Sequence, residues 1–307
     1  MATPAALAHR VATGEAYLSA CWAPATRRAY AADLRDYLRW GGSFPASAGD
    51  IVAYVGARAG GLRMPTLRRR LVGIGMAHVL AGYPDPTKAV LVRKVLRGVQ
   101  RVHGVRQRQA WPITREDIGR MCEGADTLAM QRDRALLLLG FAAALRRSEL
   151  VALEVADLGF VAAGLTVRLR RSKTDPFGKS RVVGVPWGAG PTCTVVAVRD
   201  WITRAGIEDG AVFRRVLRSG RIGARLSDQS VNLVIKRHAA AIGLPIERVS
   251  GHSLRAGFVT SAVRAGASLV SIQRQTGHAS LDMLARYIRE LDPFVGNAHA
   301  ALSGAGS

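Results

Sequence analysis

The stretch GLTVRLRRSKTDPFGKSRVVGVPW, residues 164–187, interrupts a chain that otherwise carries helical signals. Leu165, Val167 and Leu169 alternate with polar neighbours, and a second apolar alternation follows a turn rich in proline, glycine and polar residues. Alternation with a period of two is typical of strands with one buried face, so the stretch predicts a β-hairpin. The expected fold class is mainly α, with a small β-hairpin in the C-terminal part.

Helical periodicity lies on both sides of the hairpin. In the first hundred residues, two apolar stripes at helical spacing are formed by Tyr30, Leu34, Tyr37 and Leu38, and by Leu67, Leu71, Ile74 and His78. The second of these helices is predicted to begin at Thr66, after Pro65. Beyond the hairpin, helix starts are expected at Ser227, Ser250, Ser268 and Ser280, and stops at Gly243, Gly266, Gly277 and Pro293.

The pattern changes near Trp111 and Pro112, where a basic, polar segment gives way to a helix start at Thr114 with acidic residues in its first turn. A chain of 307 residues suggests about two domains. We therefore expect a helical domain over residues 1–108 and a second domain over residues 109–307.

The charge of the chain points to a polyanionic partner. The sequence has 44 Lys and Arg residues against 22 Asp and Glu, a formal charge of +22. Arginine predominates, and its planar fork suits phosphate. Nucleic acid is therefore the expected partner, and the Arg68–Arg70 run is expected on an outer helix face, either in contact with DNA or merely solvated.

Membrane and secreted classes are not expected. The apolar run 135–145 is half the roughly 20 residues that a spanning helix needs, so it predicts a buried helix. His9 and Arg10 interrupt the Ala-rich start where a secretory signal would continue. The three cysteines are far apart and form no CxxC pair, which favours reduced thiols and a cytoplasmic protein.

Cationic and nucleophilic residues toward the C-terminus favour phosphate chemistry without a metal or other cofactor. Between Gly251 and Tyr287 there is one acid, Asp282, against four arginines, so this segment offers no carboxylate cluster for magnesium. His252 and Arg255 are three residues apart after Ser250, which predicts one face of a helix's first turn. A capping histidine beside a surface arginine is the alternative.

Other residues could complete such a site. In FAAALRRSEL, Arg146 and Arg147 are expected to end the buried helix, with Glu149 placed to orient a guanidinium, or else to form an ordinary surface pair. Lys173 lies in the hairpin turn, where a mobile lysine can act as an acid or remain solvated. Tyr287 follows His278 by nine residues, and it is either a nucleophile activated by cations or a packing residue.

The combination of ALRRSEL, a lysine in a β-hairpin, HSLRAG, TGHAS and a tyrosine nine residues later resembles the tyrosine recombinase (phage integrase) family. The segments TLRRRLVGIGMAHVLAGYPDP, VFRRVLRSG and RYIRELD are most similar to its Cre-like members, so the resemblance covers nearly the whole chain. It implies a site-specific DNA recombinase in which residues 1–108 form a helical DNA-binding domain and residues 109–307 form the catalytic domain.

The resemblance also implies a role for each site residue. Tyr287 would attack a DNA phosphate to give a 3′-phosphotyrosyl bond, while Arg146 and Arg255 bind that phosphate. Lys173 would protonate the 5′-oxygen. The remaining assignments are His252 as general base or proton shuttle, His278 as a donor to a phosphate oxygen, and Glu149 as a support. No metal and no ATP would be required.

At the level of assembly, the resemblance implies a C-shaped clamp acting as a homotetramer on two double-stranded DNA sites with inverted repeats. The tail after Pro293 would dock on a neighbouring subunit through Phe294, Val295 and Leu302. Candidates for DNA contact are Arg28, Arg69, Arg70 and Gln229. Two alternatives remain: a type IB topoisomerase with similar chemistry, and a sequence-specific DNA-binding protein that has lost catalysis.

Overall fold

A computed structural model describes residues 21–104, 110–170, 180–278, 280, 281 and 284. The chain divides into two compact units, Met1–Arg108 and Gln109–Ser307. The described residues of the first unit form helices, and those of the second form helices with two small antiparallel sheets. The expected fold class, mainly α with a small β-hairpin in the C-terminal part, is confirmed.

The first unit contains four helices within its described residues: α1 (Pro24–Arg39), α2 (Ala48–Arg58), α3 (Met64–Leu80) and α4 (Val90–His103), with a 3-10 turn at Pro86–Lys88. α2 begins at a capping box in which Ser47 and Asp50 satisfy each other's backbone N–H groups. Tyr37, Tyr54 and Ile74 lie in the apolar core that joins these helices.

The two predicted apolar stripes differ in outcome. All four residues of the α3 stripe are buried, and His78 accepts a hydrogen bond from the Ala46 N–H at 2.8 Å. In α1 the prediction is wrong for Leu38, which is 43% exposed, whereas the polar Asp33 is buried. α3 also begins two residues earlier than Thr66, because Pro65 fits the first turn of a helix, where no N–H partner is needed.

The second unit is built around α6, a helix buried on most sides. Within the described residues of this unit, the helices are α5 (Arg115–Met121), α6 (Leu128–Ala142), α7 (Arg147–Ala152), α8 (Thr194–Arg204), α9 (Asp228–Ala241), α10 (His252–Arg264) and α11 (Leu269–Thr276). The predicted start at Thr114 is confirmed by a capping box with Asp117. Ser227 and Ser268 cap α9 and α11 as expected, whereas α10 is capped by Gly251, one residue after Ser250.

The predicted hairpin is confirmed as part of a three-stranded sheet. Its strands are β1 (Leu158–Val161), β2 (Gly164–Leu169) and β3 (Arg181–Pro186), in that order. Val167 of β2 pairs with Val183 of β3, and both are buried. A second pair, β4 (Arg214–Val216) and β5 (Ile222–Arg225), was not predicted, because strands of three or four residues carry too little alternation to be recognised.

No helix in the described part of the chain is long and apolar enough to cross a membrane.

Candidate active site

The site begins at a turn after α6. The helix ends at Ala142, and Ala144 has a left-handed backbone, with φ 51. The Leu145 N–H donates to the Gly140 carbonyl at 3.0 Å, as in a Schellman turn. The prediction that the pair Arg146–Arg147 ends this helix is therefore wrong. FAAALRR has no glycine or proline to mark the break, and the turn places an alanine where glycine is usual.

Arg255 is fixed against this turn from α10. Its side chain is buried, with the residue 5% exposed, and Nη1 donates to the Ala144 carbonyl at 2.9 Å. α10 approaches α6 so closely that a β carbon at Gly140 would lie 2.8 Å from Leu254 Cδ1. The close packing of the two helices therefore holds the Arg255 guanidinium beside the turn that leads to Arg146.

Arg146 is held by Glu149, one turn later. One carboxylate oxygen of Glu149 accepts from the Arg146 backbone N–H at 2.8 Å, and the other accepts from Nη1 at 2.6 Å. The Glu149 side chain is 2% exposed and that of Arg146 is 15% exposed. The predicted bracing of this guanidinium by Glu149 is present, whereas Arg147 points toward Asp228 at 4.0 Å.

His278, in the segment after α11, lies within electrostatic range of both arginines. Burial, and then the nearby charges of Arg255, Arg146 and Arg181, lower the pKa of His278 to about 4. The Thr276 hydroxyl donates to the Ile272 carbonyl at 2.7 Å and lies 2.7 Å from His278 Nδ1. Because that hydroxyl has a single proton, Nδ1 carries the ring proton and Nε2 of the neutral ring has a lone pair.

His252 is the first residue of α10 and lies one turn before Arg255, as the spacing predicted. It is exposed, and its N–H donates to Ser250 Oγ at 3.2 Å. The neighbouring Gly251 N–H donates to Asn232 Oδ1 at 3.0 Å, which ties the start of α10 to α9.

Lys173 and Tyr287, the predicted acid and nucleophile, lie outside the described residues, as does the tail after Pro293. Within the described ranges, no group of three His, Cys, Asp or Glu side chains is placed to hold a metal ion.

The candidate DNA contacts differ in accessibility. Arg28, Arg69 and Gln229 are exposed, on α1, α3 and α9. Arg70 is only 17% exposed and bonds to Asp36 and, at 3.1 Å, to the Tyr54 hydroxyl. The expectation of an outer position is therefore wrong for Arg70. Three consecutive residues on a helix span about 200° of its circumference, so one member of the run faces the neighbouring helices.

Sequence reasoning missed Arg181, Gln275 and Thr276. Arg181, the first residue of β3, donates through Nη1 to the Gln275 carbonyl at 2.8 Å. Gln275 Nε2 in turn donates to the carbonyl of Ala142, at the end of α6, at 2.9 Å. The sequence TGHAS was a signal for Thr276, but no local pattern connects Arg181 to a helix more than 90 residues away.

Comparisons with known proteins agree with this arrangement. Residues 112–292 match the model described as the phage integrase family. The integrase/recombinase XerD homolog of Selenomonas ruminantium is 35% identical over 285 residues, which cover 89% of this chain and 84% of the relative. The Cre recombinase of Escherichia phage P1 is 26% identical over 279 residues, which cover 84% and 79% of the two chains.

Two solved structures with the same fold are a recombinase and an integrase, each bound to DNA. XerH site-specific recombinase bound to palindromic difH substrate, in a post-cleavage complex, has a TM-score of 0.59 at 18% identity and covers 83% of this chain and 71% of XerH. A lambda integrase dimer bound to a COC′ core site has a TM-score of 0.56 at 14% identity, and the match covers 86% of this chain and 87% of the integrase chain. Since the family model spans more than half of the chain and the XerD homolog is similar over nearly all of it, the chain belongs to the phage integrase family of tyrosine recombinases.

Proposed function

We propose that this protein is a site-specific recombinase that cleaves and rejoins DNA through a 3′-phosphotyrosyl bond to Tyr287, without metal or ATP. The observation that carries the proposal is a pair of restrained guanidiniums: Arg255 is bonded to the Ala144 turn, and Arg146, two residues after Ala144, is bonded to Glu149. His278 lies within electrostatic range of both. Fixed cations in a site shielded from water stabilise the charge that develops on a phosphorane.

In the proposed reaction, the Tyr287 phenol oxygen bonds to phosphorus as the bond to the 5′-oxygen breaks. The phenol proton passes to His252, and Lys173 gives a proton to the departing oxygen. The reverse attack by a 5′-hydroxyl restores the diester, so the energy of the bond is kept. The exposed position of His252 leaves its ring accessible to a bound DNA strand, as this role requires.

His278 would change protonation as DNA binds. In the free protein its low pKa keeps the ring neutral, and Nε2 can only accept a hydrogen bond. A phosphate placed among the arginines offsets their charge and raises the pKa of His278. Nε2 then gains a proton and donates to a phosphate oxygen, the role expected from the family resemblance.

The proposed partner is double-stranded DNA with inverted repeats, bound by a homotetramer on two sites. The formal charge of +22 and the DNA-bound state of the structural neighbours support this proposal. The clamp arrangement, the division of labour between residues 1–108 and 109–307, the docking of the tail and the cytoplasmic location remain predictions.

Type IB topoisomerase activity is the second candidate. The relatives are named recombinases and integrases, which favours recombination. A DNA-binding protein without catalytic activity is disfavoured. Burying two arginines at one turn costs desolvation energy, and binding in a DNA groove does not require it.

The test uses the full-length protein and a duplex site selected by binding from a random library, with a nick next to the cleavage position. The wild type is expected to accumulate a denaturant-resistant protein–DNA adduct, and Tyr287→Phe to bind without forming one. Peptide sequencing should identify Tyr287 on the DNA. An adduct that persists in Tyr287→Phe would mean that another residue is the nucleophile. Junctions formed between two duplexes would identify a recombinase. Relaxation of supercoiled DNA without such junctions would identify a topoisomerase.

A further inference from the structure

We propose that Arg181 is a positioning residue for the DNA cleavage step: from the start of β3 it holds the end of α11, and with it His278, against Arg146 and Arg255. The inference rests on the proposed function and adds to it a residue that acts through its neighbours. It joins two segments that the proposed chemistry needs, the hairpin that contains Lys173 and the segment that continues toward Tyr287.

The first observation is a direct link between the sheet and the helix end. Arg181 pairs through its backbone with Leu169 of β2, so its Cα is anchored in the sheet. Its Nη1 donates to the carbonyls of Gln275 at 2.8 Å and Arg274 at 3.4 Å, in the last turn of α11. These carbonyls are helix-terminal acceptors, which favour a cation.

The second observation is the space between Arg181 and Gly277. Gly277 is the left-handed cap of α11, with φ 63. A β carbon there would lie 2.6 Å from Arg181 Nη1 and 2.8 Å from its Cζ. The guanidinium therefore lies directly against the residue before His278, and the glycine is required both for its backbone angle and for this contact.

Further hydrogen bonds make the end of α11 a rigid connection. Gln275 Nε2 donates to the Ala142 and Gly184 carbonyls at 2.9 and 3.3 Å, and Gln273 Nε2 donates to the His278 carbonyl at 3.1 Å. A displacement of the Arg181 side chain would therefore shift His278 relative to the turn that holds Arg255.

The third observation is electrostatic. Burial lowers the pKa of Arg181, and Arg146 lowers it further, while Glu149 raises it. Both Glu149 oxygens already accept hydrogen bonds from Arg146. The helix-terminal carbonyls of Arg274 and Gln275 offset part of this cost, and the charge that Arg181 retains adds to the positive field at His278.

The experiment compares Arg181→Gln and Arg181→Lys with Arg214→Gln in the full-length protein. Arg214 is a matched control, because it also donates to two backbone carbonyls, of Ala211 at 3.0 Å and Asp209 at 2.5 Å, in the same unit. Three quantities are measured: the single-turnover rate of adduct formation on saturating nicked DNA, the affinity for that DNA, and the pKa of His278 by NMR, with its signal assigned through His278→Gln.

Arg181→Gln is expected to slow adduct formation by about 10- to 100-fold, since small misplacements of catalytic groups have effects of that size, while affinity changes less than about threefold. It should also raise the pKa of His278, because one of the three charges that lower this pKa is lost. Arg181→Lys keeps the charge and should recover part of the rate and hold the pKa of His278 low. Arg214→Gln should match the wild type in the rate of adduct formation, in DNA affinity and in the pKa of His278.

Adduct formation at the wild-type rate in Arg181→Gln would overturn the inference, as would a slow rate with an unchanged His278 pKa. If Arg181→Gln does not fold, the test uses Arg181→Lys. A lysine variant that forms the adduct as fast as Arg214→Gln would also overturn the inference. A wild type that forms no adduct at all refutes the proposed function instead; a rise in the His278 pKa in Arg181→Gln would still support the positioning of His278.

Discussion

Arg255 Nη1 donates to the Ala144 carbonyl at 2.9 Å, and that carbonyl is presented by a residue in the left-handed region. The bond connects α10 to the end of α6 across 111 residues of sequence. The backbone angle of Ala144 therefore determines where Arg255 lies relative to Arg146, and it is a conformation that a residue with a β carbon rarely adopts.

The first prediction concerns that angle. Ala144→Gly should change the free energy of unfolding by less than about 1 kcal/mol, because relief of the left-handed strain offsets the lost burial of a methyl group. Ala144→Val should lower it by about 2 kcal/mol or more, because a β-branched side chain at φ 51 adds strain inside a buried turn. Urea unfolding measures both. Equal stabilities for the two variants would contradict the left-handed turn.

The second prediction concerns Glu149. Glu149→Gln should lower the free energy of unfolding by about 1–3 kcal/mol, because Arg146 loses the buried charge that offsets its own. Adduct formation should fall more than DNA affinity does. The control is Glu154→Gln, whose ion pair with Arg225 is more exposed and should contribute less than about 1 kcal/mol. A smaller loss of stability in Glu149→Gln than in Glu154→Gln would count against the bracing role.

The third prediction concerns pH. The folded pKa of His278, about 4, lies below its ordinary value of about 6.5, so the unfolded chain binds this proton more readily. The contribution of His278 to the free energy of unfolding is fully present above pH ~6.5 and is lost as the pH falls to about 4. Below that pH there is no further change, and the total loss is about 3 kcal/mol. Unfolding of the wild type and His278→Gln across this range should show the wild type losing more stability. Parallel curves would mean that His278 titrates normally.

The fourth prediction separates two arginines of the first unit. Arg28→Ala removes an exposed cation, so it should weaken DNA binding and reduce the slope of log affinity against log salt by about 1, with no change in the thermal midpoint. Arg70→Ala should lower the thermal midpoint instead, because Asp36 and the Tyr54 hydroxyl lose a common partner. A reduced salt slope with unchanged stability in Arg70→Ala would show that Arg70 contacts phosphate after all.

Local sequence was sufficient for much of the fold. The alternation in residues 164–187 predicted the β2–β3 pairing, and the capping signals at Thr114, Ser227 and Ser268 predicted three helix starts. These features depend on residues that are neighbours along the chain. The order of the motifs ALRRSEL, HSLRAG and TGHAS was also enough to identify the family, as was confirmed by the match over residues 112–292.

Only the tertiary structure decided how the site is held together. The end of α6 is followed by a left-handed residue, Ala144. The bond from Arg255 to that turn joins segments 111 residues apart, and the bond from Arg181 to the end of α11 joins segments 94 residues apart. No local preference favours a left-handed alanine or an arginine buried against helix carbonyls. Both conformations are stable because contacts with distant parts of the fold hold them in place. A sequence pattern shows which residues are present, but it does not show which distant residues they contact.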